Sequence, residues 1–336
     1  ILILGGVTVN IVRASVIYSS MLALMGEQYL PVANAKYGIA VDSLGYRMGL
    51  RDGDKIVSID HKPVEDFGEV RERLLLDGAR SVQVMRCDTM ADIPIPEDFV
   101  SRMIKANNPD FITYRFPFVV GDFAPGSAAK EAGLLQEDRI IGINDSMTLY
   151  FNQFRAFIQE HKNQTVDIRV VRGQDTLMMP VDVPAAGLIG VQPKSPALFL
   201  DFAEKHYSVI SAIPAGIIKT FEGAGNYLKS MKVLFTQEKA YESVGGFITI
   251  GSVFPSDWDW VQFWSLTAFL SIMLAILNVL PIPALDGGHV MFLFYEIIFR
   301  RKPSDKFMEY AQVAGVVILF GLLIFANGQD ILKLFR

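Results

Sequence analysis

The sequence predicts a multi-pass α-helical membrane protein with two copies of a small α/β unit inserted between its spans. Three observations carry that reading. The 336 residues are 51% hydrophobic and 20% charged, apolar for a soluble chain yet too polar for a bare helical bundle. Long apolar runs gather at the two ends, over 1–25, 264–299 and 308–326. Between them one pattern occurs twice, offset by 84 residues. The net charge of −5, with no basic patch interleaved with aromatics, argues against a nucleic-acid partner. A single cysteine, Cys87, excludes an internal disulfide framework.

Residues 1–27 read as the first span, since a crossing needs about 20 apolar residues. The run has no charged leader and no cleavage site, so it is not read as a signal peptide. The chain is expected to start inside or just before a membrane helix. Arg13 interrupts the run. It pairs with an acidic residue upstream, snorkels to the interface, or marks an end of the span.

The two inserted units occupy 35–87 and 116–185. GLRDGDKIVSID (49–60) aligns with GLLQEDRIIGIN (133–144), matching Gly49 with Gly133, Leu50 with Leu134, Asp54 with Asp138 and Ile56 with Ile140. Each copy continues into a helical stripe and then an alternating strand, SVQVMR (81–86) and TVDIRVV (165–171). Residues 88–115, with Pro94, Pro96 and Pro109, read as a linker or insertion. In 186–258 an amphipathic helix precedes a glycine-rich piece too short to span. Its stripe of Ile210, Ile213, Ile217, Phe221, Ala224, Leu228, Met231 and Phe235 recurs at spacings of three and four. This helix lies on the bilayer surface or packs on the inserted units.

The region 259–299 reads as a broken span. Its apolar run, 264–299, would make a straight helix of about 54 Å against a hydrocarbon core of roughly 30 Å. The break is expected at Pro281 and Pro283. The loop 300–307 follows; within it RRKPSDK holds four cations against one anion, which places it on the cytoplasmic side. The last span is 308–334, and the inserted units are then extracytoplasmic.

The stretch LNVLPIPALDGGHV (277–290) puts Asp286 among helix breakers inside an apolar run. An ionised carboxylate in hydrocarbon costs roughly 2.5 kcal/mol or more. Irregular backbone at membrane depth is tolerated where it lines a cavity or is buried in protein. Gly287 and Gly288 are expected to let the chain turn tightly after the aspartate. The pattern describes a polar pocket holding Asp286, filled by a metal, a proton or ion path, or a partner cation.

Asn278, Pro281, Pro283, Leu285, Asp286, Gly287, Gly288 and His289 spell N-x-x-P-x-P-x-L-D-G-G-H. Together they resemble the site-2 protease family of intramembrane zinc metalloproteases, most of all its bacterial branch with tandem PDZ domains. Gly5, Gly6 and Asn10 add the GG-x-x-x-N of its first span. The repeats resemble PDZ domains in the circularly permuted bacterial arrangement. The resemblance implies Zn2+ as cofactor, Asp286 as one ligand, and Asn278, Pro281 and Pro283 beside an unwound substrate. It implies two further histidine ligands and a general-base glutamate from an H-E-x-x-H helix. No such motif occurs here: His61, His161, His206 and His289 include no pair spaced i, i+4. Two explanations stand, an N-terminal truncation that leaves out the H-E-x-x-H helix, or a degenerate member without activity. No catalytic residue is therefore expected among these 336. Phe247 stands where the family commonly has proline after two glycines.

PDZ domains add an extended peptide to a sheet edge. The expected grooves begin at Gly38 and Ile39 in the first unit and at Gly121 and Asp122 in the second. The implied function is cleavage of single-span membrane proteins, such as an anti-sigma factor or signal-peptide remnant, in the bacterial inner membrane, with the repeats as a filter. The rival is an inactive, membrane-tethered PDZ scaffold. A transporter built on the broken span is a third reading.

Overall fold

The computed structural model describes residues 5–106, 111–237, 244–254 and 258–334, so Pro109 lies outside the described residues. Helix α1 (Gly5–Met25) and the short strand β1 (Glu27–Tyr29) come first. The first repeat comprises β2 (Ile39–Val41), α2 (Ser43–Met48), β3 (Lys55–Ile59), β4 (Lys62–Pro63), α3 (Phe67–Leu76), β5 (Ser81–Arg86), β6 (Thr89–Pro94), α4 (Phe99–Ala106) and β7 (Ile112–Tyr114). The second comprises β8 (Val120–Phe123), α5 (Ala128–Glu131), β9 (Arg139–Ile143), β10 (Ser146–Met147), α6 (Phe151–Glu160), β11 (Thr165–Arg172), β12 (Asp175–Asp182) and β13 (Val191–Pro193). Strand β14 (Ala203–Lys205) precedes helices α7 (Val209–Thr236), α8 (Phe247–Ser252), α9 (Trp260–Val279), α10 (Asp286–Phe299) and α11 (Asp305–Leu334). Two compact units result, a strand-rich one (28–103 and 108–203) and a helical one (1–27, 104–107 and 204–336).

Both repeats build the same parts. Four-stranded sheets run β4-β3-β5-β6 and β10-β9-β11-β12, with two-stranded pairs β2-β7 and β8-β13 beside them. Alternation along β5 and β11 sends Val82, Val84, Val166, Ile168 and Val170 inward. The helical stripe closes each core, with Val70 and Leu74 in α3 and Phe154 and Ile158 in α6. Residues 88–115 are not a passive connection. They supply β6, paired along β5, and β7, paired with β2. Phe99 and Phe111, fully within the first core, meet edge to face with centroids 5.2 Å apart. Pro94 marks the end of β6 and Pro96 the approach to α4.

Each repeat also buries one carboxylate against an arginine. Asp54 and Asp138 are both 1% exposed. Arg86 Nη2 lies 2.7 Å from Asp54 Oδ2, and Arg172 Nη2 lies 2.6 Å from Asp138 Oδ2. The same guanidinium groups donate to the carbonyls of Gly49 and Gly133, 2.8 and 2.9 Å away. Those glycines take φ of +104° and +94°, which a side chain would strain. The aspartates also accept the backbone N–H of Arg51 and Leu135, so each fixes the turn before β3 or β9. Arg86→Ala would strand a buried carboxylate, at a cost of about 3 kcal/mol. Amide hydrogen exchange in β3 and β5 should then speed up by roughly 100-fold if the first repeat opens as a unit.

In the helical unit α1 packs between α7 and α9. Ala14 meets Ala268 and Ile272, while Arg13 Nε donates to Ser271 Oγ at 2.8 Å, the partner that the sequence did not name. A Cβ on Gly216 of α7 would fall 2.3 to 2.7 Å from Ser19 of α1, so only glycine allows this approach. Ala212, Gly216 and Thr220 form the buried face of α7. The larger side chains Ile210, Phe221 and Phe235 point outward. Close backbone approach through small residues is how helices associate in lipid, where bulky apolar groups gain nothing by facing inward. Where α1 ends, Glu27 pairs with Lys219 of α7 and accepts the Tyr207 hydroxyl at 3.2 Å. Burial pushes the Glu27 carboxyl up, but Lys219 and Tyr207 outweigh it and hold it below its ordinary value. Among the described residues three helices are long and apolar enough to cross a membrane: Gly5–Met25, Trp260–Val279 and Asp305–Lys333.

Candidate functional site

Helix α9 stops at Val279 and α10 starts at Asp286. The loop between them, 280–285, holds both prolines, which bring no N–H into it. Its other donors are largely satisfied within the loop: Leu280 N–H bonds Leu277 O, Ile282 N–H bonds Leu280 O, and Leu285 N–H bonds Ile282 O. The two glycines after Asp286 serve packing rather than a turn. Their φ values are ordinary and they lie in the first turn of α10. A Cβ on Gly287 would meet the carbonyl oxygens of Leu280, Val279 and Asn278 at 2.2, 2.6 and 2.8 Å. One on Gly288 would meet Pro283 Cα at 2.3 Å. The loop thus folds back onto the start of α10. Gly315 of α11 closes it from another side, with a built Cβ 2.7 Å from Ala284 N.

Asp286 occupies the first helical position of α10 and is half-buried. It faces α1: a Cβ on Gly6 would sit 2.8 Å from its Oδ2 and 3.9 Å from Asn278 Nδ2. Glycine at position 6 therefore leaves the space in which the carboxylate and the Asn278 amide stand side by side. No hydrogen bond or ion pair occupies Asp286 among the described residues. No group of three or more His, Cys, Asp or Glu able to hold a metal occurs among them either. Asn278 is half-buried, Pro283 is half-buried and Pro281 is exposed. His289 is exposed, its ring edge-on to Phe292 at 6.4 Å. The structure thus brings Asp286 and Asn278 together beside α1, and among the described residues it supplies one carboxylate that fits a metal ligand, not a complete set. Sequence reasoning missed Asp330, which is 2% exposed and accepts the N–H groups of Ile248 and Thr249 at the start of α8. Asn327 accepts the N–H of Phe247, so α11 seats the Gly245-Gly246 segment.

The sheet edges lie elsewhere than Gly38, Ile39, Gly121 and Asp122. Ile39 is 1% exposed, and its N–H and C=O bond Asp54 and Gly53 on the side away from β7. Gly38 is pressed on Gly53, where a Cβ would meet a carbonyl at 2.4 Å. Val120 is held likewise between β13 and residues 137–138, Gly121 backs onto Pro193, and Asp122 accepts the Gln136 amide at 2.9 Å. Backbone bonds from residues 53–54 and 137–138 thus cover the far sides of β2 and β8, while none covers those of β7 and β13 among the described residues. A cavity of about 910 Å³ opens along β7, bounded by α3 of the first repeat and α6 of the second.

Helices long and apolar enough to cross a membrane, joined to strand-containing repeats, are consistent with a membrane protein. Residues 1–322 match the description Peptidase family M50. The chain belongs to that family. It is 30% identical over 229 residues to a Campylobacter jejuni protein, covering 64% of this chain and 60% of that one. It is 30% identical over 220 residues to the regulator of sigma-W protease RasP of Bacillus subtilis, covering 65% of this chain and 51% of RasP. It is 25% identical over 316 residues to the regulator of sigma-E protease RseP of Escherichia coli, covering 85% of this chain and 69% of RseP. The chain spans roughly half to two thirds of the length of these relatives.

Proposed function

We propose that this chain forms the greater part of an intramembrane zinc metalloprotease that cleaves membrane-spanning segments of single-span proteins in the bacterial inner membrane. The observation that carries it is the half-buried Asp286 carboxylate, without a protein partner among the described residues, facing a glycine of α1. When bound, zinc lowers the pKa of a coordinated water to about 7 and so supplies the nucleophile for peptide hydrolysis. Asp286 would supply one carboxylate ligand to the ion. The family's remaining donors belong to an H-E-x-x-H motif, which residues 1–336 do not contain. Asn278 offers its amide to a substrate backbone that must be unwound, since helical carbonyls are already engaged. The stiff loop with Pro281 and Pro283 keeps that amide in register.

Water reaches the site from the side opposite the start of α9. Trp258, Trp260, Phe263 and Trp264 cluster at that start, the aromatic arrangement of a membrane interface. From Trp260 to Asn278 the helix rises roughly 27 Å, most of a hydrocarbon core of roughly 30 Å. The repeats act as PDZ-like modules outside the cytoplasm that admit trimmed substrates, anti-sigma factors or signal-peptide remnants. Plasma emission analysis of the purified full-length protein should find about one zinc per chain. A chelator should abolish cleavage of a model transmembrane substrate, and added zinc should restore it. A complete reading frame without H-E-x-x-H, together with zinc-free protein, would instead establish the inactive scaffold.

A further inference from the structure

The two repeats differ at one sheet edge, that of β7 in the first and of β13 in the second. In the first, β7 bonds β2 through Phe111, Thr113 and Arg115: Asp42 N–H donates to Phe111 O, and Arg115 N–H to Gly38 O. Ile112 and Tyr114 therefore turn their N–H and C=O groups away from β2, where they meet no backbone partner among the described residues. In the second repeat the matching bonds run from Ala124 N–H to Gly190 O and from Lys194 N–H to Val119 O. By that register Val191 corresponds to Ile112, and Pro193 to Tyr114. Pro193 has no N–H to offer, and proline on an edge strand blocks strand addition. The Gln159 amide of α6 donates to Gly187 O at 2.8 Å, occupying the approach to β13 as well.

The cleft along β7 has a charge to match. Arg71 of α3 and Arg155 of α6 are equivalent positions, 84 residues apart, and both line it. Arg155 is exposed and makes no ion pair among the described residues. The carboxylates in the same wall are engaged. Asp42 accepts Leu44 N–H and Gly45 N–H at the start of α2, and Asp52 accepts Val41 N–H and the Asn152 amide. Phe67, Tyr114, Phe116 and Phe151 supply apolar surface beside them.

We propose that the first repeat alone receives peptide, as an extended acidic segment added to the free edge of β7, with its carboxylate side chains facing Arg155, while Pro193 closes the second repeat. This rests on the reading of the repeats as peptide-binding modules and not on the zinc assignment. Two labelled synthetic peptides test it against the whole protein in detergent, one alternating valine with glutamate and one alternating valine with lysine. Fluorescence anisotropy should show the glutamate peptide binding about tenfold tighter or more. Hydrogen exchange should show slowed amides at Ile112 and Tyr114 and an unchanged amide at Val191. Tyr114→Pro, which gives β7 the residue β13 already has, should weaken binding at least about tenfold. Because the Tyr114 ring packs on Phe67, Arg155→Glu is the companion variant, changing only an exposed charge; a similar loss is expected. Protection of Val191 instead, undiminished binding in both variants, or preference for lysine would overturn the proposal while leaving peptide binding by the repeats standing. Failure of both peptides to bind would overturn both readings.

Discussion

Asp286→Ala in the full-length protein is expected to remove bound zinc and to lower cleavage of a transmembrane substrate by about 1,000-fold or more, roughly 4 kcal/mol of transition-state stabilisation. Asp286 makes no fold-maintaining contact among the described residues that its loss would break. It occupies the first position of α10, where its charge gains from the helix terminus by at most about 1 kcal/mol. The variant should therefore fold, accumulate in the membrane and keep the repeats intact. That separates lost chemistry from lost structure. Asp286→Asn keeps the volume and removes the anion, and it should lose zinc nearly as completely, because a neutral amide is a poor substitute for a carboxylate ligand. Unchanged zinc content and unchanged turnover in both variants would remove Asp286 from the metal.

Gly287→Ala is expected to act through structure. The added methyl would lie 2.2 Å from Leu280 O, with two more carbonyl oxygens within 2.8 Å. Backbone oxygens cannot rotate away as side chains do, so the loop 280–285 or the start of α10 must shift. Overpacking of this kind costs about 3 kcal/mol. The measurable outcome is a lower thermal midpoint in detergent together with partial loss of zinc, since Asp286 moves with the loop. Gly225→Ala is the control: it lies inside α7 with nothing within 4 Å of a built Cβ and should be neutral or mildly stabilising. Equal behaviour of the two variants would show that the loop does not sit against α10 as described.

Much of this molecule is written locally. The repeat is visible because turn glycines, inward valines and helical stripes recur at a fixed offset, and the element bounds follow it: 55–59 and 139–143, 67–76 and 151–160. Other features were not legible. Gly38 and Ile39 look like the start of a groove, yet β2 is an inner strand because residues 53–54 bond its far side. Residues 88–115 look like a linker because prolines interrupt them, yet Ile93, Phe99 and Phe111 are core. The stripe on α7 looks like a buried face, but the small residues Ala212 and Gly216 make the contact. The partner of Asp54 is an arginine 32 positions away, which no local period reveals.

The sequence alone determined where the apolar run 264–299 must break, that two like units interrupt the spans, and which carboxylate stands at the break. These follow from hydrocarbon thickness, helix rise and the missing N–H of proline, which act between neighbours in the chain. Only the tertiary structure decided that Gly6 makes room for Asp286, that β7 rather than β2 is the open edge, and that Asp330 holds α8. Those depend on which distant backbones approach within a few ångström, and that is fixed by packing after the local elements have formed.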